Sequence, residues 1–431
     1  MTPILNLLRN LHTKLFRTHG ATIPAEAVYH PMTRVLSCIS SSISFSPGTP
    51  CPVVNDEDTE RALREAARLL VGDQQVVVFP TETVYGLGAV ATNESAVSRI
   101  FSTKGRPPDN PLIVHVSSLD MLYALLSPGY TLSRTYKALI DNFWPGALTL
   151  LFPRDPERIP SIVSAGQPTV AIRMPSHPIA RALIAISNAP LAAPSANSSG
   201  KPSPTKAEHV ERDLDGKIEL ILDGGACGVG LESTVVDGLH PDGNIRVLRP
   251  GGVTVEAIER VLQEQACYGG VPRVLVHRRD FSDVSLEQAP TTPGMKYRHY
   301  SPSVPVTLLL TQSKPPLGDA SLSPSAYLDA LLREDERSSP PKLGLLVADD
   351  SSLMELTSYT GVVWHHYSLG SIRNPAEVAH RLFDGLLTLE REGVERILIE
   401  EISEDQEGLA VMNRVRKAAS ETRWIAIDGA T

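Results

Sequence analysis

Cysteine is scarce in this chain. Its 431 residues hold four, Cys38, Cys51, Cys227 and Cys267. None are spaced as the close pairs of a zinc module, and no histidine stands near them in a ligand pattern. They read as scattered thiols of a reducing compartment. Long apolar runs are also missing. No stretch of 18 apolar residues occurs, which excludes a transmembrane helix of ordinary length. A basic excess is absent too: 40 Lys and Arg face 49 Asp and Glu, for a net charge of -9. That balance argues against broad, nonspecific coating of nucleic acid but leaves room for a local basic pocket. There is no GxxxxGK[ST] loop and no GxGxxG after a strand, so a bound nucleotide would be held without the usual glycine cradles. No Ser-His-Asp signature is present, and no covalent nucleophile is expected.

What is present describes a globular protein of two domains: 42% hydrophobic and 21% charged residues, in a chain too long for one ordinary core. Residues 1–54 differ from the rest. Arg9, Lys14, Arg17 and Arg34 face a single acid, Glu26, and a Ser-rich stretch follows at 37–46. This is the look of a mitochondrial transit peptide or of a disordered tail, and Met32 offers a second start for a cytosolic form.

Folded sequence is expected from about Asn55. Ala62, Leu63, Ala66, Leu69 and Leu70 make a helical stripe behind acidic Asp56, Glu57 and Asp58. Strands are expected at 75–80, 112–116, 148–152, 169–173, 191–193, 218–222, 233–236 and 245–248. Helices are expected near 95–102, 118–126, 131–142, 177–187, 205–213 and 254–265. Thr205-Lys-Ala-Glu208 reads as a capping box. Short strands unevenly spaced between helices imply a mixed, twisted sheet in an α/β domain over 55–269. Residues 270–304 read as a linker. A smaller α/β domain, 305–431, follows with strands at 306–310, 343–347, 362–367, 396–402 and 424–427. Its clearest helix, 375–391, has Asn374 as cap, Pro375 in the first turn and Gly393 past the end. This repetition implies a doubly wound parallel sheet. Residues 311–342, heavy in Ser and Pro, are expected to be a loop-rich insertion.

Five segments of the first large domain combine strand ends with polar groups. FPTETVYGLG (79–88) follows a buried strand. KGRPPDNPLIVH (104–115) sets Lys104, Arg106, Asn110 and His115 around two Pro-stiffened bends; two cations and an amide on a stiff loop suit a polyphosphate. TVAIRMP (169–175) is a strand ending in Arg173. APSANSSGKPSPT (193–205) runs small hydroxyl and amide groups into a helix start. ESTVVD (232–237) leads on to VLRPGG (247–252). Each alone has a plainer use, as a loop, a helix cap, a surface ion pair or a core histidine. Their occurrence together in one domain points to a ligand site.

In that order, these motifs resemble the threonylcarbamoyl-AMP synthase family, with its YrdC-like catalytic domain. The linker motif PGMKYRHYSP (293–302) resembles the two-domain branch, and the likeness spans about residues 56–428. The resemblance implies a YrdC-like twisted mixed sheet with helices, joined to a Rossmann-like C-terminal domain. It implies a nucleotidyltransferase that makes threonylcarbamoyl-AMP from L-threonine, bicarbonate and ATP. A separate transferase complex would then carry the group to tRNAs that read ANN codons.

By the same resemblance, Thr83, His115, Arg173, Ala193 and Ser233 would hold threonine. Lys104, Arg106, Asn110, Thr169, Ser195, Asn197, Ser203 and Arg249 would hold ATP, with Lys104 and Arg106 the catalytic cations. Magnesium would accompany the ATP, with no protein-borne metal site. Lys296, Tyr297, Arg298, His299 and Tyr300 would form a lid over the cavity. The expected location is cytoplasmic, with a mitochondrial form through residues 1–50. No membrane association and no stable tRNA complex are expected. Two other readings stay open: an RNA-binding or ribosome-associated module of the same fold, and an enzyme that forms carbamoyl-adenylate.

Overall fold

The computed structural model describes residues 32–46, 49, 51–264, 270–283, 287–288, 290–292, 299–316, 320–333 and 339–427. Apolar residues at alternating positions build two sheets, each buried on both faces. In the larger, Val77 and Phe79 turn to one side of their strand while Val78 turns to the other, and Ile221 lies opposite Leu220 and Leu222 in the same way. Such two-sided burial requires helices on both faces.

Eleven strands among the described residues form this sheet. In chain order they are β1 (Arg34–Ser37), β4 (Val77–Phe79), β5 (Gly86–Val90), β6 (Ile113–His115), β7 (Leu148–Pro153), β8 (Thr169–Arg173), β9 (Leu191–Ala192), β10 (Leu220–Asp223), β11 (Thr234–Asp237), β12 (Ile245–Arg249) and β13 (Val274–Val276). The spatial order is β1-β10-β4-β5-β9-β6-β8-β7-β11-β12-β13. A separate hairpin pairs β2 (Ile43–Phe45) with β3 (Pro52–Val54). The sheet is mixed, as expected: β6 runs parallel to β8, while β7 runs antiparallel to β8.

Helix α1 (Glu57–Val71) follows from its sequence. Asp56 caps it by accepting from the Thr59 N–H at 2.8 Å, acids fill its first turn, and its apolar stripe packs on Val77 and Phe79. Helix α2 (Glu94–Lys104) is capped by Asn93 and ends at Gly105, whose φ of +60° suits glycine. That stop sets Arg106 at the mouth of the following loop. Helices α3 (Leu119–Leu125), α4 (Arg134–Phe143), α5 (Ser161–Ser164), α6 (Pro178–Ser187), α7 (Ala207–Leu214) and α8 (Val255–Glu264) complete this part.

The smaller sheet has five parallel strands, in the order β16 (Val363–Ser368), β15 (Lys342–Val347), β17 (Arg396–Glu400), β14 (Val306–Leu310), β18 (Glu421–Trp424). Leu308, Ile397 and Ile399 face α10 (Pro375–Arg391) and α11 (Gly408–Ala418). Leu309 and Leu398 face α9 (Pro324–Arg333). This is the expected doubly wound parallel sheet. The two parts touch closely. At Gly230, φ +78°, an added Cβ would lie 2.4 Å from the backbone of His380 on α10. Lys206 and His209 of the larger part meet Asp384 of α10.

Several expectations are corrected. The chain is folded well before Asn55, because β1 pairs in parallel with β10 and β2–β3 pack nearby. Residues 86–90 form a further strand that the sequence does not announce, where Gly88 lets Phe79 press against the backbone. Strand β13 lies inside the expected linker and extends the large sheet through β12. Thr205 does not cap α7: the N-cap is Lys206, with no side-chain cap bond, and Asn374 caps α10 without one. Helix α9 occupies part of the expected insertion, and the last strand lies at 421–424, ahead of 424–427.

Candidate active site

Strand ends gather the polar residues. Arg173 closes β8 and His115 closes β6, and they are register partners on these parallel neighbours. The loop after β4 brings Thr81 and Thr83 across from them. The loop after β9 brings Ala193, Pro194 and Ser195, and the turns bracketing β11 and β12 bring Glu232, Ser233 and Arg249. These residues, with Val84, Gly86, Arg106, Ile113 and His299, enclose a cavity of about 40 Å³. Since one water needs about 10–15 Å³ measured this way, the space fits only a few solvent molecules. Gly251 is required behind it, because a Cβ there would stand 2.3 Å from the Glu232 carbonyl.

The hydrogen bonds run in a chain. Arg173 Nη1 donates to Thr83 Oγ1 at 2.9 Å, Thr83 and Thr81 share a bond of 2.7 Å, and Thr81 Oγ1 donates to the Val84 carbonyl at 2.6 Å. Thr81 spends its proton on that carbonyl, so Thr83 is the donor between the two hydroxyls. Arg173 Nη2 pairs with Glu82, whose other oxygen accepts from the Ser176 N–H. Arg173 Nε is buried with no protein partner, an unmet donor at the cavity wall. His115 sits beside the Ile113 carbonyl through Nδ1 at 3.1 Å. Burial, then the neighbouring Arg173, pushes its pKa down to about 3, so it is neutral at physiological pH.

On the other wall, Arg249 Nη2 donates to the Ser233 carbonyl at 2.9 Å, and Ser233 Oγ shares a 2.7 Å bond with Thr149. Arg106 donates to the carbonyls of Asn110 and Pro111 at 3.1 and 2.8 Å. Burial, then Arg249, lowers its pKa. Three arginines therefore line a cavity in which, among the described residues, the one lining carboxylate is Glu232. This arrangement can hold anions.

The structure brings together Thr83, Arg106, His115, Arg173, Ala193, Ser195, Ser233 and Arg249 of the expected residues, with His299 from the expected lid. Lys104 lies beneath the cavity. It is buried, and its ammonium donates to the carbonyls of Ser195, at 2.5 Å, and Asn197. Burial, then Arg106, holds its pKa well below the ordinary lysine value. Ser203 is one bond away, donating to Glu232 at 2.7 Å. Asn197 lines a second cavity, of about 250 Å³, against α10. Asn110 and Asn197 each bury a side-chain oxygen that has no protein partner. Thr169 is not among the cavity-lining residues: it opens β8, which Arg173 ends, roughly 13 Å away at 3.3 Å per residue, and its buried hydroxyl has no protein partner.

Lys296, Tyr297 and Arg298 lie outside the described residues. Tyr300 is fully buried against Phe383 of α10, with a φ of +65° that a non-glycine residue holds only under tight packing. Ser301 donates its N–H to the Gly200 carbonyl, joining the end of the linker to the 193–205 loop. Sequence reasoning missed Glu82, Glu232 and Arg414 as site residues. A lone Arg within the apolar stripe of α11 was the available signal for Arg414.

Comparison with known proteins agrees with this geometry. Residues 69–251 match the family model described as "Telomere recombination", and residues 253–420 match the one described as "Threonylcarbamoyl-AMP synthase, C-terminal domain". A Schizosaccharomyces pombe protein named threonylcarbamoyl-AMP synthase is 45% identical over 382 residues, which cover 84% of this chain and 89% of that protein. A Bacillus subtilis protein of the same name is 42% identical over 354 residues, covering 82% and 92%. The crystal structure of Pyrococcus abyssi Sua5 complexed with L-threonine matches with a TM-score of 0.70 at 36% identity, covering 92% of this chain and 100% of that one. With both folded parts matched at this level, the chain belongs to the threonylcarbamoyl-AMP synthase family.

Proposed function

We propose that this chain joins L-threonine, bicarbonate and ATP into threonylcarbamoyl-AMP, releasing pyrophosphate. The threonine amine takes up one carbon from bicarbonate, with loss of water, to give a carbamate. A carbamate oxygen then attacks the α-phosphorus, and the bond to pyrophosphate breaks. Both partners are anions, so their repulsion and the entropy of bringing them together dominate the barrier. Orientation in a closed pocket lowers such barriers by roughly 7–11 kcal/mol, and fixed cations stabilise the charge on the leaving pyrophosphate.

The observation that carries this reading is the convergence of Arg173, Arg106 and Arg249 with the uncharged His115 in one buried cavity. The Arg173 fork suits the threonine carboxylate, which would share or replace Glu82. Neutral His115 has a lone pair to offer the amine. Arg106 and Arg249 suit the phosphates. No cluster of three His, Cys, Asp or Glu able to hold a metal occurs among the described residues, and Glu232 is already bonded to Ser203 and Arg414. Magnesium would accompany the triphosphate as part of the substrate and supply charge neutralisation there.

The small cavity volume supports a lid. His299 lines it, so a linker end that moves to admit the nucleotide and then closes again would exclude water from the adenylate. Replacing 296–300 with Gly and Ser should raise product hydrolysis; unchanged turnover and hydrolysis would reject the lid. The product would pass to a separate transferase that modifies tRNA. A reducing cytoplasmic or mitochondrial setting fits the thiols and residues 1–50, and a fluorescent fusion of 1–50 reports on targeting. No helix among the described residues is long and apolar enough to cross a membrane.

ATP–pyrophosphate exchange tests the function. Exchange that needs both L-threonine and bicarbonate is the expected result. Exchange independent of threonine would favour a carbamoyl-adenylate enzyme, and none at all would favour a binding module.

A further inference from the structure

A carboxylate is a poor neighbour for a triphosphate, yet Glu232 lines the cavity. Its partner comes from the other domain. Arg414 lies on α11 and is fully buried. Its Nε and Nη2 donate to Glu232 Oε2 at 3.1 and 3.0 Å. Its Nη1 donates to the carbonyls of Pro250, in the loop directly after Arg249, and of Ala410, the latter at 3.3 Å. The guanidinium stands 5.7 Å from the ring centre of Tyr300, the strained residue at the linker's end. Glu232 Oε1 meanwhile accepts from Ser203. One side chain of the C-terminal domain thus touches the acid, the arginine loop and the linker end.

We infer that Arg414 is a positioning residue for the nucleotide: it neutralises Glu232 from across the domain boundary and keeps that carboxylate from claiming the arginines that face the phosphates. The inference rests on the ATP reading given above. It gives the C-terminal domain a defined part in catalysis, because nucleotide affinity then depends on α11 being docked. With Arg414 removed, Glu232 would be left facing Arg249, which lines the same cavity and whose attraction already acts on Glu232, after burial and after Arg414. Arg414 touches none of Arg173, Thr83 and His115, which would hold the threonine carboxylate and amine on the opposite wall, so threonine binding should be spared.

The test uses the full chain and measures binding of magnesium-ATP and of L-threonine separately, with thermal unfolding as the control. Arg414→Gln should weaken ATP binding tenfold or more while threonine binding stays within about threefold. Arg414→Lys should keep most of the ATP affinity, because the charge is retained. The double variant E232Q/R414Q should regain most of what Arg414→Gln loses, since no unpaired carboxylate is left. Parent-like ATP binding in a folded Arg414→Gln chain would overturn the inference. So would equal losses of ATP and threonine, or a double variant no better than the single. Should Arg414→Gln fail to fold, E232Q/R414Q decides alone: ATP affinity within tenfold of the parent supports neutralisation, and a larger loss overturns it. A parent chain that binds no ATP would instead reject the ATP reading itself.

Discussion

The chain holds two sheets that set unlike groups beside their strand ends: arginines around the cavity of one, glutamates at the end of β17 in the other. At the carboxyl ends of the large sheet stand Arg173 and His115, joined by Arg106 and Arg249. At the carboxyl ends of the small parallel sheet stand Glu400 and Glu401. Beside β17 lies β14, and the N–H groups of Gln312 and Ser313 just beyond it point at an anion, as they would in many nucleotide sites. That anion is the chain's own Glu401 carboxylate, at 3.0 and 2.9 Å. A Rossmann-like layout therefore supplies the place for a phosphate, while the side chains decide whether a phosphate is wanted. In the small domain the place is filled from within; in the large one arginines line it, Arg173 with an unmet Nε donor.

The largest effect that would sharpen the contrast is at Arg173. Arg173→Glu should raise the threonine KM by on the order of a thousandfold, about 4 kcal/mol, by facing a carboxylate with a carboxylate. Steady-state kinetics in threonine checks it, and an unchanged KM would break the assignment of that wall.

Acid should come next. His115 and His299 are both pushed down to about 3, from an ordinary 6.5, by burial first; Arg173 adds to this at His115, and Arg106 and Lys104 add to it at His299. The folded chain then binds fewer protons than the unfolded one below pH 6.5. The stability that these two neutral rings contribute is whole above that pH and is lost as the pH falls toward 3. Between pH 6.5 and 5 the loss is about 2 kcal/mol per histidine. Urea midpoints at pH 7 and pH 5 report it, and His115→Asn should lessen the slope. A midpoint that does not move would show that these rings are not buried neutral.

A smaller loss is expected at the self-filled anion site. Glu401→Ala leaves the N–H groups of Gln312 and Ser313 unpaired and should cost about 1–3 kcal/mol of stability, with the ATP KM unaltered. Gain of nucleotide binding to the C-terminal domain would redraw the comparison.

The smallest effect has the opposite sign. Glu400 is buried, and its pKa is raised by that burial and then by the nearby Asp350 and Glu401. Such an acid favours the folded state when protonated, and that advantage fades as the pH rises through its folded pKa. Glu400→Gln should therefore stabilise the chain at pH 7, measured as a rise in melting temperature.

Much of this was legible in the residues. The helices at 57–71, 94–104 and 375–391 follow from caps, stripes and glycine stops. The five parallel strands of the small domain follow from short apolar runs separated by helices. Other features were hidden for physical reasons. Strand 86–90 carries two glycines because Phe79 needs the room, a demand visible only once the strands are packed. Strand 34–37 is largely exposed and gains its order from pairing with residues 220–223, nearly two hundred positions away. Lys104 reads as a phosphate ligand by spacing, yet its ammonium is turned inward to two loop carbonyls.

The order of residues along the chain settled the two α/β domains, the mixed and parallel sheets, and the hydroxyl-, arginine- and glycine-bearing loops at their strand ends, because periodicity and capping act over a few residues. Tertiary structure alone decided which of those charges meet. Glu82 pairs with Arg173, and Glu232 with Arg414, across 91 and 182 positions. Only folding brings such groups within reach, and only burial makes leaving either partner unpaired costly enough to fix the arrangement.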